Sequence, residues 1–329
     1  MEDETRHCIR CEVEKPKSDF RNGNKQCKAC QYEINKNRIN SNAETFFKTM
    51  AREAKSRSNT RLKKGRIEAG RYEIDWEFIR DLYAKQNGKC YYSKVQMALQ
   101  LESDWQCSIE RLDQTLGYVP ENVVLCAVEF QSYAQWSPDK YKEFMELLHI
   151  NHVANISPDI FEKPTKKKTW KLVEKIMAID GTITHARCNQ MCKLLKPIDQ
   201  FNKAPFHGCK QCETILSKTR KESPRGGMSQ LLCDMRRNSK LRGHEQPELT
   251  QQDLYDKFIA QQGMCALTGI PLTFGTNKPW MASPERQDTK QHYTKENTCF
   301  IIFELNTPRQ WTKEKIAYIK EVWAANQDT

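Results

Sequence analysis

The sequence predicts an α+β protein written twice. Each of two tandem modules runs from a four-cysteine motif through a basic helix to a strand–loop–strand–helix motif and a closing amphipathic helix. Three observations carry this reading. Residues 88–131 align with 263–306 without a gap at an offset of 175. Two cysteine quartets of near-equal spacing precede those segments, and two strongly basic strips lie between. At 329 residues, the chain suits about two domains on a prior of ~100–200 residues each. The expected boundaries are 1–154, a linker over 155–170, and 171–329.

The cysteine motifs come first. Cys8-x2-Cys11-x15-Cys27-x2-Cys30 and Cys188-x3-Cys192-x16-Cys209-x2-Cys212 each read as two paired knuckles. Short x2 or x3 loops let two thiolates face one ion, and four soft ligands suit tetrahedral zinc. Two structural Zn²⁺ are therefore expected. His185 and His207 stand nearby as substitute ligands. The flanking residues repeat as well: Lys15-Pro16 and Phe20 match Lys196-Pro197 and Phe201. Of the fourteen cysteines, Cys90 and Cys265 open a knuckle whose second thiol is missing, which reads as a buried tight hairpin. No run approaches the ~18–20 apolar residues of a membrane span, and Met1-Glu2-Asp3-Glu4 begins no signal peptide. The expectation is an intracellular protein whose cysteines bind metal rather than pair as disulfides.

The basic helices follow. The net charge is +11, yet Lys48–Arg71 alone carries +7 and Lys218–Arg242 carries +6, leaving the rest of the chain slightly acidic. Both strips read as helical and stop near Lys64-Gly65 or Arg242-Gly243. Arg52, Lys55, Arg57, Arg61, Lys63 and Lys64, with Arg236, Arg237, Lys240 and Arg242, are the candidates for neutralising phosphates. A solvated helix face is the plain alternative. Hydrophobic residues make up only 38% of the chain and mean hydropathy is −0.80, so small cores would depend on zinc for folding free energy. Lys166-Lys167-Lys168 reads as a basic linker or a nuclear address.

The polar motif is what the repeat retains. Shared positions include Gly88 with Gly263, Cys90 with Cys265, Trp105 with Trp280, Ser108 with Ser283 and Glu110-Arg111 with Glu285-Arg286. They continue with Asp113 and Asp288, Tyr118 and Tyr293, Asn122 and Asn297, Glu129 and Glu304, and then Trp136 and Trp311. Most are polar or special residues, so the duplication preserves a site rather than a core. Glu110-Arg111 falls on a first strand, a loop follows, a second strand starts at Asn122, and position 131 is expected on a helix. Lys140–His149 and Lys313–Trp323 are expected to cap their own modules.

On these residues the chain resembles the HNH nucleases, whose core is a ββα-metal finger. It is most similar to members reading Ser-x-Asp-Arg-x-Asp…Gly-Tyr…Asn-Val…Asn, and the cysteine module is similar to that of phage endonuclease VII relatives. The resemblance implies that the strand acid and the helix amide hold one divalent cation, Mg²⁺ or Mn²⁺, against the scissile phosphate. Carried over, Glu285 and Asn306 are the metal ligands of the second repeat with Asn297 bracing the loop. Glu110, Gln131 and Asn122 take those places in the first.

Three departures shape that expectation. Glu stands for the usual Asp in both copies, which lengthens the ligand by a methylene. Gln131 stands for Asn, which favours the second repeat for activity. Arg111 and Arg286 stand where many members carry a His base, and Arg does not give up a proton at neutral pH. They are left to clamp phosphate or to act on a neighbouring tyrosine or water. Tyr91, Tyr92, Tyr118, Tyr293 and His292 remain alternative bases, with packing or loop roles equally open. Trp105 and Trp280 are expected in the core, and Asp113 and Asp288 on loop hydrogen bonds.

The resemblance thus implies a metal-dependent DNA endonuclease of restriction or homing type. Two sites in one chain form a pseudo-dimer that acts as a monomer on double-stranded DNA. Structured RNA or branched DNA would keep the chemistry and change the substrate. The alternative is a non-catalytic, zinc-containing nucleic-acid-binding protein built from decayed modules.

Overall fold

A computed structural model of the chain describes residues 4–131, 134–153, 156–162, 174–202, 208–243, 245–275, 278–307 and 309–327. The fold is mixed α+β, with helices joined by small antiparallel sheets. It divides into two units, Met1–Glu146 with Thr307–Thr329, and Leu147–Asn306. No helix of the described residues is long and apolar enough to cross a membrane.

The first unit opens on the hairpin β1 (Thr5–His7) and β2 (Glu14–Pro16). Next come α1 (Lys28–Ile39) and the basic helix α2 (Ala43–Lys63). The Asn42 side chain caps α2 by accepting from Thr45 N at 2.8 Å. Phe46, Phe47, Ala51, Ala54 and Ser58 form its buried stripe, and Arg52, Lys55 and Arg57 lie on the exposed face. Then come α3 (Trp76–Lys85), β3 (Cys107–Arg111), β4 (Val123–Ala127) and α4 (Pro138–Leu147). All of β4 is buried, whereas β3 alternates, so Ser108 and Glu110 share one face. The pair is antiparallel, with Glu110 opposite Val124.

The second unit repeats this plan with variations. Its cysteine module has three strands, β5 (Lys175–Met177), β6 (Ile183–Arg187) and β7 (Leu195–Pro197), because an extra edge strand joins the hairpin. The basic strip, expected as one helix, is split into α5 (Lys210–Glu222) and α6 (Pro224–Leu241). Pro224 cannot continue a helix but suits its first turn, and Ser223 caps α6 through Gly226 N at 3.2 Å. Next come α7 (Gln251–Ala260), β8 (Ala282–Arg286) and β9 (Thr298–Ile302), with Glu285 opposite Cys299.

Part of the expected linker is structured. A single 3₁₀ turn, Pro158–Phe161, brings Phe161 flat against Tyr255, with ring centroids 4.1 Å apart and planes at 13°. Arg225 Nη1 donates to Phe161 O at 2.8 Å. Residues 156–162 therefore belong to the second unit. Asn155 and residues 163–170, including Lys166-Lys167-Lys168, lie outside the described residues.

The last helix, α8 (Lys313–Ala325), corrects a second expectation, because it packs within the first unit rather than capping the module that precedes it. Trp311 Nε1 donates to Glu129 O at 3.1 Å. The Trp311 ring meets Trp105 and Phe130 edge-on at 5.7 and 5.4 Å, and Trp323 meets Tyr141 at 5.7 Å. Lys315, nearly buried, pairs with the fully buried Glu129 at 2.8 Å and with Asp104 at 2.6 Å. These aromatic and charge partners are set by burial across long sequence separations, which helical periodicity does not encode.

A third correction concerns positions 131 and 306. Neither lies on an α-helix. Each follows a single 3₁₀ turn, Val128–Phe130 or Phe303–Leu305, in extended-side backbone with ψ of 69° or 81°. The α-helical start is delayed to Pro138, a favoured first-turn residue, and Pro308 disfavours helix at Thr307.

Candidate metal centres and polar sites

Each cysteine quartet closes on one point. The Sγ atoms of Cys8, Cys11, Cys27 and Cys30 lie within 4.8 Å of one another, as do those of Cys188, Cys192, Cys209 and Cys212. Cys8 to Cys30 and Cys192 to Cys209 are each 3.8 Å apart. A tetrahedron with Zn–S bonds of ~2.3 Å has edges of about 3.8 Å, so both quartets fit zinc. The knuckle backbone is already turned to the thiolates: Cys27 N donates to Cys8 Sγ at 3.2 Å and Cys209 N to Cys188 Sγ at 3.3 Å. Backbone N–H groups of Cys11 and Cys27 pull the Cys8 thiol down to about 5. Phe20 and Phe201 are buried against the two quartets. His185 stays out of its quartet and contacts Thr184 Oγ1 at 3.2 Å, and His207 lies outside the described residues. Among the described residues no other cysteine, histidine or acid joins such a group. Cys90 is fully buried in a tight turn closed by Lys94 N to Cys90 O at 3.0 Å, and Cys265 repeats this with Gly269.

In the first unit the polar residues converge on the outer face of β3. Gln131 lies over that face: its Oε1 accepts from Ser108 Oγ at 2.9 Å, and its Nε2 donates to Ile109 O at 2.7 Å and Glu110 Oε2 at 3.2 Å. Glu110 Oε1 accepts from Gln114 Nε2 at 2.9 Å. Burial raises the Glu110 carboxyl above its ordinary value, although Gln131, Arg111 and Gln114 favour the ionised form. Arg111 is buried and turned to the loop, donating from Nη1 to Gln114 O at 3.0 Å and Leu116 O at 2.6 Å, and from Nη2 to Gln114 Oε1.

The second unit builds the same frame with a shorter amide. Asn306 Nδ2 donates to Ser283 Oγ at 2.9 Å and Pro284 O at 3.3 Å. Among the described residues it makes no hydrogen bond to Glu285. Burial raises Glu285 above its ordinary value against the opposing pull of the Arg286 backbone N–H, Arg286 and Arg242. Arg286 Nη1 donates to Gln291 O at 3.0 Å.

The loop braces are superimposable in their bonding. Asn122 Oδ1 accepts from Asp113 N at 2.8 Å, while Nδ2 donates to Asp113 O at 2.9 Å and Gly117 O at 3.0 Å. Asn297 makes the matching bonds to Asp288 N, Asp288 O and His292 O at 2.7, 3.0 and 2.9 Å. Asp113 and Asp288 accept from loop N–H groups of Thr115 and Lys290, at 2.7 and 2.9 Å. Tyr118 is buried. Burial first, and Glu285 second, raise the Tyr293 hydroxyl, which opposes its ionisation as a base. The His292 Nδ1 lies 3.4 Å from Glu245.

Two further devices are duplicated. Gln86 clamps β4 by bonding both Leu125 N and Leu125 O at 2.9 Å, and Gln261 does the same to Phe300 at 2.8 and 2.9 Å. Trp105 and Trp280 hold left-handed backbone with φ of 57° and 58°. Their N–H groups are taken by the buried acids Glu129 and Glu304 at 3.0 and 3.2 Å. Those acids are scaffold residues.

Of the basic candidates, Arg52, Lys55, Arg57, Lys63, Lys64, Arg236, Arg237, Lys240 and Arg242 are exposed, and Arg61 is half-buried. Arg57 pairs with Glu53 at 3.5 Å, Arg237 with Asp234 at 2.7 Å, and Arg236 donates to Leu249 O at 3.2 Å. Hard oxygen donors on Glu110 with Gln131 and on Glu285 with Asn306 suit a cation such as Mg²⁺. Comparison with known protein families, curated proteins and solved structures gives no match.

Proposed function

We propose that the chain is a metal-dependent DNA endonuclease that hydrolyses phosphodiester bonds, with an HNH-like site in each unit. The observation that carries this reading is the twice-built site: a half-buried strand glutamate, an amide over the same strand face, and a buried asparagine bracing the intervening loop. In each site Glu110 or Glu285, with Gln131 or Asn306, would hold the divalent cation. Bound there, such a cation supplies positive charge to the phosphoryl oxygens and the leaving 3′ oxygen. Asn122 and Asn297 keep the loop in register without adding charge, and Arg111 and Arg286 fix the loop carbonyls. The exposed bases of α2 and α6 attract duplex DNA.

A specific observation separates the two units in this reading. Glu110 is already bonded to Gln114 and Gln131, whereas Glu285 has no such side-chain donors among the described residues. The second unit is therefore the cutter, and the first holds DNA or cuts slowly, so that nicked product accumulates. Supercoiled plasmid incubated with zinc-loaded protein, with Mg²⁺ or Mn²⁺ added or left out, tests this. Metal-dependent nicking supports the reading. Tight duplex binding with no cleavage under either metal leaves only the nucleic-acid-binding alternative.

A further inference from the structure

The basic helix α2 does more than present a charged face. Arg61, in its last turn, lays its guanidinium on the Tyr118 ring, with Cζ 5.3 Å from the centroid. Arg111 approaches the same ring at 5.5 Å. Two guanidinium groups are thus gathered on one tyrosine, and burial together with repulsion from Arg61 lowers the Arg111 pKa from its ordinary value. Their donors are used differently. Arg111 commits both Nη atoms to the loop through Gln114 and Leu116. Arg61 Nη1 is buried without a hydrogen-bond partner. A buried, unpaired guanidinium N–H beside a second like charge is unfavourable unless an anion arrives.

The second unit aligns an arginine at the same helical position, here exposed. A shift of 181 places the buried stripe Phe46, Phe47, Ala51, Ala54 and Ser58 of α2 on Gly227, Met228, Leu232, Met235 and Ser239 of α6. The same shift carries Arg61 onto Arg242. Arg242 is felt electrostatically by both Glu285 and Tyr293, and Arg286 stacks on Tyr293 at 5.4 Å.

We infer that Arg61 with Tyr118 forms a built phosphate-binding subsite at the edge of the first polar site. It seats a backbone phosphate of the bound nucleic acid beside the strand glutamate. The arginine after the glutamate is left as a loop organiser. This rests on the endonuclease reading for its substrate, though the anion site does not depend on cleavage. The planar fork of Arg61 suits two phosphoryl oxygens, and Tyr118 fixes its plane.

The test uses full-length, zinc-loaded protein without Mg²⁺, titrated with inorganic phosphate and followed by ³¹P line broadening. Arg61→Gln should weaken phosphate binding by roughly tenfold or more. Arg61→Lys, which keeps charge and stem but loses the fork, should fall between parent and Arg61→Gln. Lys85→Gln, an equal loss of charge on the exposed side of α3, should leave it unchanged. Equal weakening by Lys85→Gln and Arg61→Gln would show diffuse attraction and overturn the subsite. So would unaltered phosphate binding in Arg61→Gln. Phosphate binding that follows the expected order in a protein that cuts no DNA overturns the endonuclease reading and leaves the subsite standing.

Discussion

Gln131 and Asn306 occupy the same cradle and do different things in it. Both bond a strand serine and the neighbouring carbonyl: Gln131 accepts from Ser108 and donates to Ile109 O, and Asn306 donates to Ser283 and Pro284 O. The longer amide also reaches the strand glutamate, and the shorter one does not. Gln114 adds a second amide to Glu110, where the repeat offers Thr289. One site has therefore satisfied its carboxylate with neutral donors, and the other leaves its carboxylate without side-chain donors among the described residues. For Glu110 to ligate a metal, Gln131 must turn its oxygen where its nitrogen now sits, giving up hydrogen bonds to a charged group worth about 1.5–3 kcal/mol each. A methylene and an amide are enough to divide a duplicated site into a sealed half and an open half.

The largest effect should be common to both halves. Structural zinc contributes about 10–16 kcal/mol of folding free energy in small modules. Cys8→Ser and Cys188→Ser should each lower bound zinc from two to one per chain, measured by metal analysis, and unfold only the module they touch. A single variant that lost both ions would break the picture of two independent modules. Next in size is Lys315→Ala in the first unit. It leaves the fully buried Glu129 carboxylate without its 2.8 Å cation, and removing one partner of a buried pair costs about 3–5 kcal/mol. Differential scanning calorimetry should show the transition of the first unit falling while that of the second holds.

The open and sealed halves are separated by cleavage. Glu285→Ala should reduce Mg²⁺-dependent nicking by about 10²–10³-fold, on the scale of losing one preorganised charge-stabilising group. Glu110→Ala should reduce it far less. The reverse result would make the first unit the cutter. A sharper version exchanges the amides. Asn306→Gln should reach toward Glu285 and slow nicking by about tenfold, while Gln131→Asn with Gln114→Ala should free Glu110 and turn nicks into linear plasmid. Changes of that size correspond to one hydrogen bond to a charged group.

How much of this was legible follows from what kind of interaction each residue makes. The cysteine quartets and the bracing asparagines were readable because their partners are local or repeated: Asn122 bonds residues nine and five positions earlier. The basic-glycine stop of α2 was readable for the same reason. The placement of α8 was not, since Lys315 and Trp311 find Glu129 from more than 180 residues away. Nor was the helix at position 131, where Phe130 is buried among Trp136, Tyr141 and Trp311. That packing holds the chain in a single 3₁₀ turn instead. Arg61 was visible only as one charge among many, because a guanidinium on a tyrosine ring leaves no trace in spacing. Gln86 and Gln261 lay two residues before the aligned segment, at the same offset of 175, so the repeat did hold a signal for them.

The smallest effect is a difference in pH response, and it follows from the sign of the glutamate shifts. Burial raises the carboxyls of Glu110 and Glu285 above the ordinary glutamate value in the folded chain. A raised carboxyl pKa means that the unfolded chain ionises first as pH increases. Each group's favourable contribution is complete below the unfolded value and is lost as pH rises through the folded one. Metal-free, zinc-loaded protein should therefore lose a little thermal stability across that window, and Glu285→Gln should remove part of the loss. Cation binding inverts the dependence, because only the carboxylate is a ligand. With Mg²⁺ present, the second unit should instead gain stability as pH rises through the same window, and nicking should rise with it. Glu110 is held by Gln114 and Gln131 and should follow the metal-free curve with or without Mg²⁺. If Mg²⁺ changes the pH dependence of Glu110→Gln and Glu285→Gln proteins alike, the two halves bind cation equally and the distinction drawn from Gln131 and Asn306 is wrong.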